Sequence, residues 1–148
     1  MKEIYTEIHI NASPSIVWKI ITDFDNYGKW NPFIQEISGS KKRGSELQIF
    51  IKPPNSNGMK FKPKILNYDP EKELKWLGKL WISRLFDGEH TLKINKLNED
   101  EVLFVQKERF SGLLVPLLSN MINDSKSGFD IMNQNLKLES EKKMEKLS

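Results

Sequence analysis

The chain has no cysteine. That excludes disulfides, thiolate metal sites and a cysteine nucleophile, and it agrees with a reducing cytoplasm, the expected location. Histidine is scarce as well, with His9 and His90 alone. His90 has the parity of its apolar strand neighbours and His9 has the opposite one, so the common multi-histidine zinc sites lack material and no metal is expected. Long apolar runs are missing. Nothing approaches the ~18 consecutive apolar residues of a membrane span, and the opening MKEIYTEIHI alternates where a secretion signal would run unbroken. A strong charge of one sign is missing too, because 23 Lys+Arg stand against 20 Asp+Glu, a net +3. The densest basic run, Lys41-Lys42-Arg43, sits beside Gly44 and reads as a solvated turn, so nucleic acid is not expected as a partner. Neither a Gly-x-Ser-x-Gly pattern nor a glycine-rich phosphate loop occurs. Serine-nucleophile chemistry therefore has little support, and no cofactor is expected.

What is present is pattern. The 148 residues fit one domain, 1–148. A chain of that length buries roughly 70% of the surface it exposes when unfolded, enough for a core and a cavity. Residues 2–10 alternate, with Ile4, Thr6, Ile8 and Ile10 on one face, and read as a strand. Ser13-Pro14 starts a short helix over 14–22, with Ser13 as N-cap. Asp23–Pro32 holds a second short helix or a pair of tight turns. Strand-like segments follow at 33–39, 45–52, 59–67, 73–82, 86–96 and 101–110, separated by turn signals such as Asn55-Ser56-Asn57-Gly58 and Asn98-Glu99-Asp100. From about 114 to 142, Leu114, Leu118, Met121, Ile122, Ser125, Phe129, Met132 and Leu136 share one helical face. Gly128 sits in the middle of that helix at a cost of about 1 kcal/mol relative to Ala. A meander with one apolar face is covered by one long helix only if the sheet curls around it. Curling leaves a space that side chains fill or a ligand occupies.

The segment INASPSIVWKIITDFDNYGKWNPF resembles the N-terminal signature of the START-like (SRPBCC) superfamily, in its polyketide cyclase/dehydrase-like branch. The resemblance is carried by Ala12, Val17, Trp18, Asp23, Tyr27, Trp30, Asn31, Pro32 and Phe33. LFDGEHTLKI (85–94), QKERFSGLLVPLL (106–118) and GFDIMNQNLK (128–137) extend it over nearly the whole chain. The resemblance implies an α+β helix-grip fold: a seven-stranded curved antiparallel sheet wrapped around a long C-terminal helix, two short helices between strands 1 and 2, and an internal cavity. It also implies a hydrophobic small-molecule partner, since members bind lipids, sterols, hormones or polyketides and some are cyclases or dehydratases.

Strand parity selects the candidate site. If 86–96 and 101–110 pair through the turn at 98–100, residue 90 lies near 108 and 92 near 106, with Cβ atoms about 5 Å apart. His90 and Glu108 are then cross-strand neighbours on an apolar face, able to move a proton or simply to satisfy each other. Phe61, Trp76, Gly78, Leu92, Phe104 and Gln106 share the inner face, and Met121, Ser125, Phe129 and Met132 oppose them from the helix. These twelve residues are the expected ligand-binding set. The expected function is binding, carrying or sensing a lipid-like or aromatic molecule. The alternatives are a cyclase/dehydratase-type enzyme with His90 and Glu108 as acid and base, and a protein-interaction module of a stress or toxin–antitoxin system.

Overall fold

The computed structural model describes residues 2–79 and 85–147. Strand β1 (Lys2–Ile10) leads to helix α1 (Pro14–Thr22), a 3-10 turn (Phe24–Asn26) and helix α2 (Tyr27–Trp30). Then come β2 (Ile34–Ser38), β3 (Gln48–Ile51), β4 (Met59–Phe61), β5 (Lys64–Asp69), β6 (Glu73–Lys79), β7 (Asp87–Asn98) and β8 (Glu101–Ser111). A 3-10 turn (Val115–Leu117) precedes helix α3 (Ser119–Leu147). The result is an α+β, helix-grip-like fold in which a curved antiparallel sheet holds a long C-terminal helix.

Local chemistry accounts for the first third of the chain. The Ser13 hydroxyl accepts from Ile16 N at 3.3 Å, and Pro14 sets the first turn of α1. Ile16, Val17, Trp18, Ile20 and Ile21 of that helix are buried. The Tyr27 hydroxyl donates to the Ile21 carbonyl, and burial, with Asp23 nearby, pushes the phenol far above its ordinary value. Asn31 Oδ1 accepts from Phe33 N and Ile34 N at 3.0 and 2.9 Å, which turns the chain into β2.

The strands correct the expected seven in one sheet. Among the described residues there are eight, in a five-stranded sheet ordered β1-β8-β7-β6-β5 and a three-stranded sheet ordered β2-β3-β4. The extra strand arises where 59–67 divides at Lys62-Pro63. Proline has no N–H to give a ladder, so β4 stops at Phe61 on β3 and β5 restarts at Lys64 on β6. The corner is still bonded: Leu47 N donates to Pro63 O (2.8 Å), Ile65 N to Ser45 O (2.9 Å) and Gly44 N to Ile65 O (2.8 Å). The expected continuation of β6 to residue 82, with Leu80 on its inner face, lies outside the described residues.

Helix α3 also differs from the expected 114–142. Its first turn is displaced to Ser119 because Val115–Leu117, with Pro116, closes a 3-10 turn. Its end extends through the charged tail to Leu147. Met144 still reaches the core, and Lys137–Glu141 (2.5 Å) and Lys143–Glu139 (3.9 Å) support the exposed side at i,i+4 spacing. Lys137 Nζ donates to His9 O at 3.0 Å and Asn11 N donates to Glu141 Oε2 at 2.8 Å, tying the tail to the end of β1.

Gly128 has a packing reason. A Cβ there would lie 2.3 Å from Phe33 Cδ1 and 2.5 Å from Cε1, and Phe33 meets Phe129 edge to face with centroids 5.5 Å apart. Without a side chain at 128, the Phe33 ring lies directly on the helix backbone. We therefore expect Gly128→Ala to destabilise. The gain of about 1 kcal/mol in helix propensity is outweighed by overpacking worth about 1–3 kcal/mol. Urea denaturation checks this, and an unchanged or higher midpoint would contradict it.

The tail contact has a pH signature. Burial opposes the charge of Glu141, but Lys137 and the Asn11 N–H together hold its carboxyl below the ordinary 4.5. A lowered folded-state value contributes stability above the unfolded value and loses it as pH falls through the folded one. Amide exchange at Asn11 is expected to stay protected at pH 5–7 and to accelerate only below about pH 4.5, with Glu141→Gln showing no such step.

Candidate functional site

The concave face is built in cross-strand rows. Trp76 faces His90, which faces Glu108, which faces Ile4. The next row along is Leu74, Leu92, Gln106 and Thr6, and on the other side stand Gly78, Gly88 and Phe110. The pairing of 90 with 108 and of 92 with 106 is the one expected from a hairpin folding at residue 99.

His90 is sandwiched and bonded on both sides. Its ring stacks on Trp76 (4.9 Å, 22°) and meets the edge of Phe129 (4.8 Å, 61°). Nδ1 lies 3.0 Å from Glu108 Oε1, and Nε2 lies 2.9 Å from Gln106 Oε1. Gln106 Nε2 donates to Asn133 Oδ1 at 2.7 Å and approaches Phe129 O at 3.5 Å. Asn133 Nδ2 donates to Thr6 Oγ1 at 2.9 Å, and the Thr6 hydroxyl donates to Gln106 O at 2.7 Å. The five side chains form one chain from β1 through α3 to the sheet, and all but Glu108 are buried. Buried polar groups persist only when satisfied in this way.

Glu108 is where the network meets a space. Its side chain keeps 14% exposure and lines a pocket of about 220 Å³ at the glycine end of the sheet. Phe61, Gly78, Gly88 and Phe110 form the sheet side of that pocket, Met121 and Ser125 the helix side, and Ile51, Pro53, Gly58 and Met59 the rim. Gly78 and Gly88 face each other across β6 and β7. A Cβ at Gly78 would press on the Phe61 ring at 3.1 Å, and one at Gly88 would lie 3.3 Å from Glu108 Oε2. The two glycines thus make room for one aromatic ring and one carboxylate.

Of the expected site residues, Phe61, Gly78, Glu108, Met121 and Ser125 come together around this pocket. Trp76, His90, Leu92, Phe104, Gln106, Phe129 and Met132 are buried in the filled middle of the grip and do not line it. Sequence reasoning missed Gly88 and Phe110 as wall, although they share the parity of His90 and Glu108. It also missed Asn133, one position along the helix from Met132. A larger cleft of about 640 Å³ lies by the start of α1, lined by Asp69, Glu71, Lys72, Glu73, Lys93 and Lys96 among others. Charges of both signs suit it poorly to an apolar ligand. Among the described residues, no three His, Asp or Glu side chains group as a metal site.

Comparison with known proteins agrees with the fold. The model of the family described as polyketide cyclase / dehydrase and lipid transport matches residues 1–141. The di-domain ARO/CYC BexL of the BE-7585A biosynthetic pathway superposes with TM-score 0.72 at 12% identity over 93% of this chain, which spans about half, 47%, of that protein. Norcoclaurine synthase from Thalictrum flavum superposes with TM-score 0.72 at 15% identity, covering 96% of each chain. A START superfamily protein from Mycobacterium smegmatis gives TM-score 0.71 at 16% identity over 99% of each. No functionally curated protein matches the sequence.

The network sets an energetic expectation. Gln106→Leu strands the hydrogen-bonding groups of His90 and Asn133 and is expected to cost about 2–5 kcal/mol, against about 1–3 kcal/mol for Thr6→Val, which strands one side-chain group, Asn133 Nδ2, and the Gln106 backbone carbonyl. Urea denaturation of the two variants measures both, and a loss under about 0.5 kcal/mol for Gln106→Leu would mean the network is not held in solution.

Proposed function

The chain belongs to the polyketide cyclase / dehydrase and lipid transport family, and we propose that it binds a small, mostly apolar molecule in the pocket at the glycine end of the sheet, with Glu108 as its polar contact. The observation that carries this reading is the pairing of Gly78 with Gly88 beside the Glu108 carboxylate. Two side chains are omitted from the sheet face, and a mostly apolar space results in which Glu108 is the one ionisable side chain among the described lining residues. An apolar wall with a few placed polar groups is the usual composition of a ligand site. At about 220 Å³ the space is below the roughly 300–1,000 Å³ of drug-sized sites. It therefore suits a one- or two-ring compound better than a long lipid chain. Half-buried Phe61 and Met121 supply adaptable walls.

One observation favours a second reading, catalysis. His90 holds one oxygen of Glu108, and the other lies beside Gly88 without a hydrogen-bond partner among the described residues, on a side chain that lines the pocket. Such a pair could take a proton from a bound substrate at one carbon or hydroxyl and return it at another, the substrate being held in its reactive conformation by the walls.

Titration with a naphthalene-based fluorescent probe tests the first reading. Gly88→Val fills the space and crowds Glu108, and it is expected to weaken probe binding by about tenfold or more, as the loss of ~1.4 kcal/mol would, while far-UV circular dichroism stays unchanged. Equal binding by the variant would place the ligand elsewhere. Native mass spectrometry of the protein from its own host identifies a co-purifying molecule for the second test. If that molecule is turned over, Glu108→Gln should lower turnover roughly 100-fold or more, and a smaller effect would leave binding alone.

A further inference from the structure

The class of ligand follows from counting hydrogens outward from the backbone. Gln106 O can only accept, so the Thr6 hydroxyl spends its one hydrogen there. Thr6 Oγ1 must then accept from Asn133, which fixes Nδ2 toward Thr6 and Oδ1 toward Gln106. Asn133 Oδ1 needs a donor, and Gln106 Nε2 is that donor, facing Phe129 O as well. Gln106 therefore offers His90 its oxygen, and His90 Nε2 carries a hydrogen. Flipping either amide would set acceptor against acceptor inside the core.

On the other side of the ring, Nδ1 is 3.0 Å from Glu108 Oε1. Since Nε2 already bears a hydrogen, this contact is a hydrogen bond only if one more proton lies between Nδ1 and Oε1. Wherever on that line the proton sits, His90 and Glu108 together carry no net charge. In both forms Oε2 has no hydrogen of its own and can only accept.

Resting on the reading of this pocket as a binding site, we propose that its ligand is a neutral molecule that presents a hydrogen-bond donor, such as a phenolic hydroxyl, to Glu108 Oε2. Glu108 is the only ionisable side chain among the described residues that line the pocket. A carboxylate ligand meets an acceptor with an acceptor. An ammonium ligand leaves water without a net opposite charge to receive it. A phenol satisfies Oε2 and buries its ring against Phe61 and Met121.

The test compares four ligands with one body: 2-naphthol, 2-methoxynaphthalene, 2-naphthylmethylammonium and 2-naphthoate, titrated calorimetrically into the full chain at neutral pH. 2-Naphthol is expected to bind tightest, about fivefold or more ahead of the methyl ether, the net worth of an ordinary hydrogen bond, and ahead of both ions. In Glu108→Leu its lead over the ether should disappear. Equal binding of all four would overturn the proposal and leave the pocket as a general apolar site, as would an ion binding as well as the naphthol. Binding of none would remove the pocket reading itself and this proposal with it. Nitrogen-15 NMR of the free protein gives a separate readout: His90 Nε2 is expected in its hydrogen-bearing form, and a bare Nε2 would overturn the proton count whatever the probes do.

Discussion

The side chain of Gln106 is fully buried, and an amide in that position must find partners for both ends. Its oxygen is taken by His90 on β7, its nitrogen by Asn133 and the Phe129 carbonyl on α3, and its backbone carbonyl by Thr6 on β1. Three elements distant in sequence are therefore keyed at one residue. Apolar burial is non-directional and would tolerate sliding of a 29-residue helix in the curve of the sheet. The amide does not tolerate it, because displacing α3 by one turn would take Asn133 away from both Gln106 and Thr6. The long axis position of the helix, and with it the placement of Met121 and Ser125 by the pocket, depends on that key.

Rigid contacts fill most of the interior around it. Trp76, His90 and Phe129 form a stack across sheet and helix. Phe33 closes against Phe129 over the bare backbone of Gly128. The mid-grip volume that a curled sheet creates is consumed by rings, and the remaining space moves to the end where Gly78 and Gly88 omit side chains. Position in the fold separates two jobs for one inner face: the rows through residues 74–76 hold the helix, and the row through 78 holds open space.

Much of this was legible from alternation. Period-two parity put His90, Gln106 and Glu108 on one face, and a fold about residue 99 gave the pairing, although the turn itself closes with Asn98 opposite Glu101 and a register shift between Lys96 and Asn98 is what brings His90 opposite Glu108. What parity cannot supply is depth. His90 and Gly88 have the same parity, yet one is packed in the core under the ring of Phe129 and the other borders the pocket. The break at Pro63 was visible as a residue and misjudged as a strand position, since alternation continues across it while the ladder does not. Asn133 was obscured by its chemistry. A polar residue beside an apolar helical stripe reads as boundary, and only the unmet need of Gln106 for a donor-and-acceptor partner points to it.

The same key bears on what Glu108 can do. A carboxylate whose partner ring is free to rotate could be held from behind in one molecule and released in the next. His90 has no such freedom, because stacking on Trp76, the edge of Phe129 and the Gln106 amide restrain its ring on three sides. Its Nδ1 is thereby presented to Glu108 as a fixed point. The carboxylate can pivot only about that bond, and the glycine at 88 is what leaves it room to do so. A polar group restrained at one oxygen and open at the other discriminates between ligands by hydrogen-bond direction, where an apolar wall discriminates only by size. The walls facing it, Phe61 and Met121, are half-buried, unlike the fully buried rings of the middle rows. On the proposed reading of this pocket as a ligand site, selection by shape would be loose and selection by polarity strict, and both would originate in the residues behind the pocket.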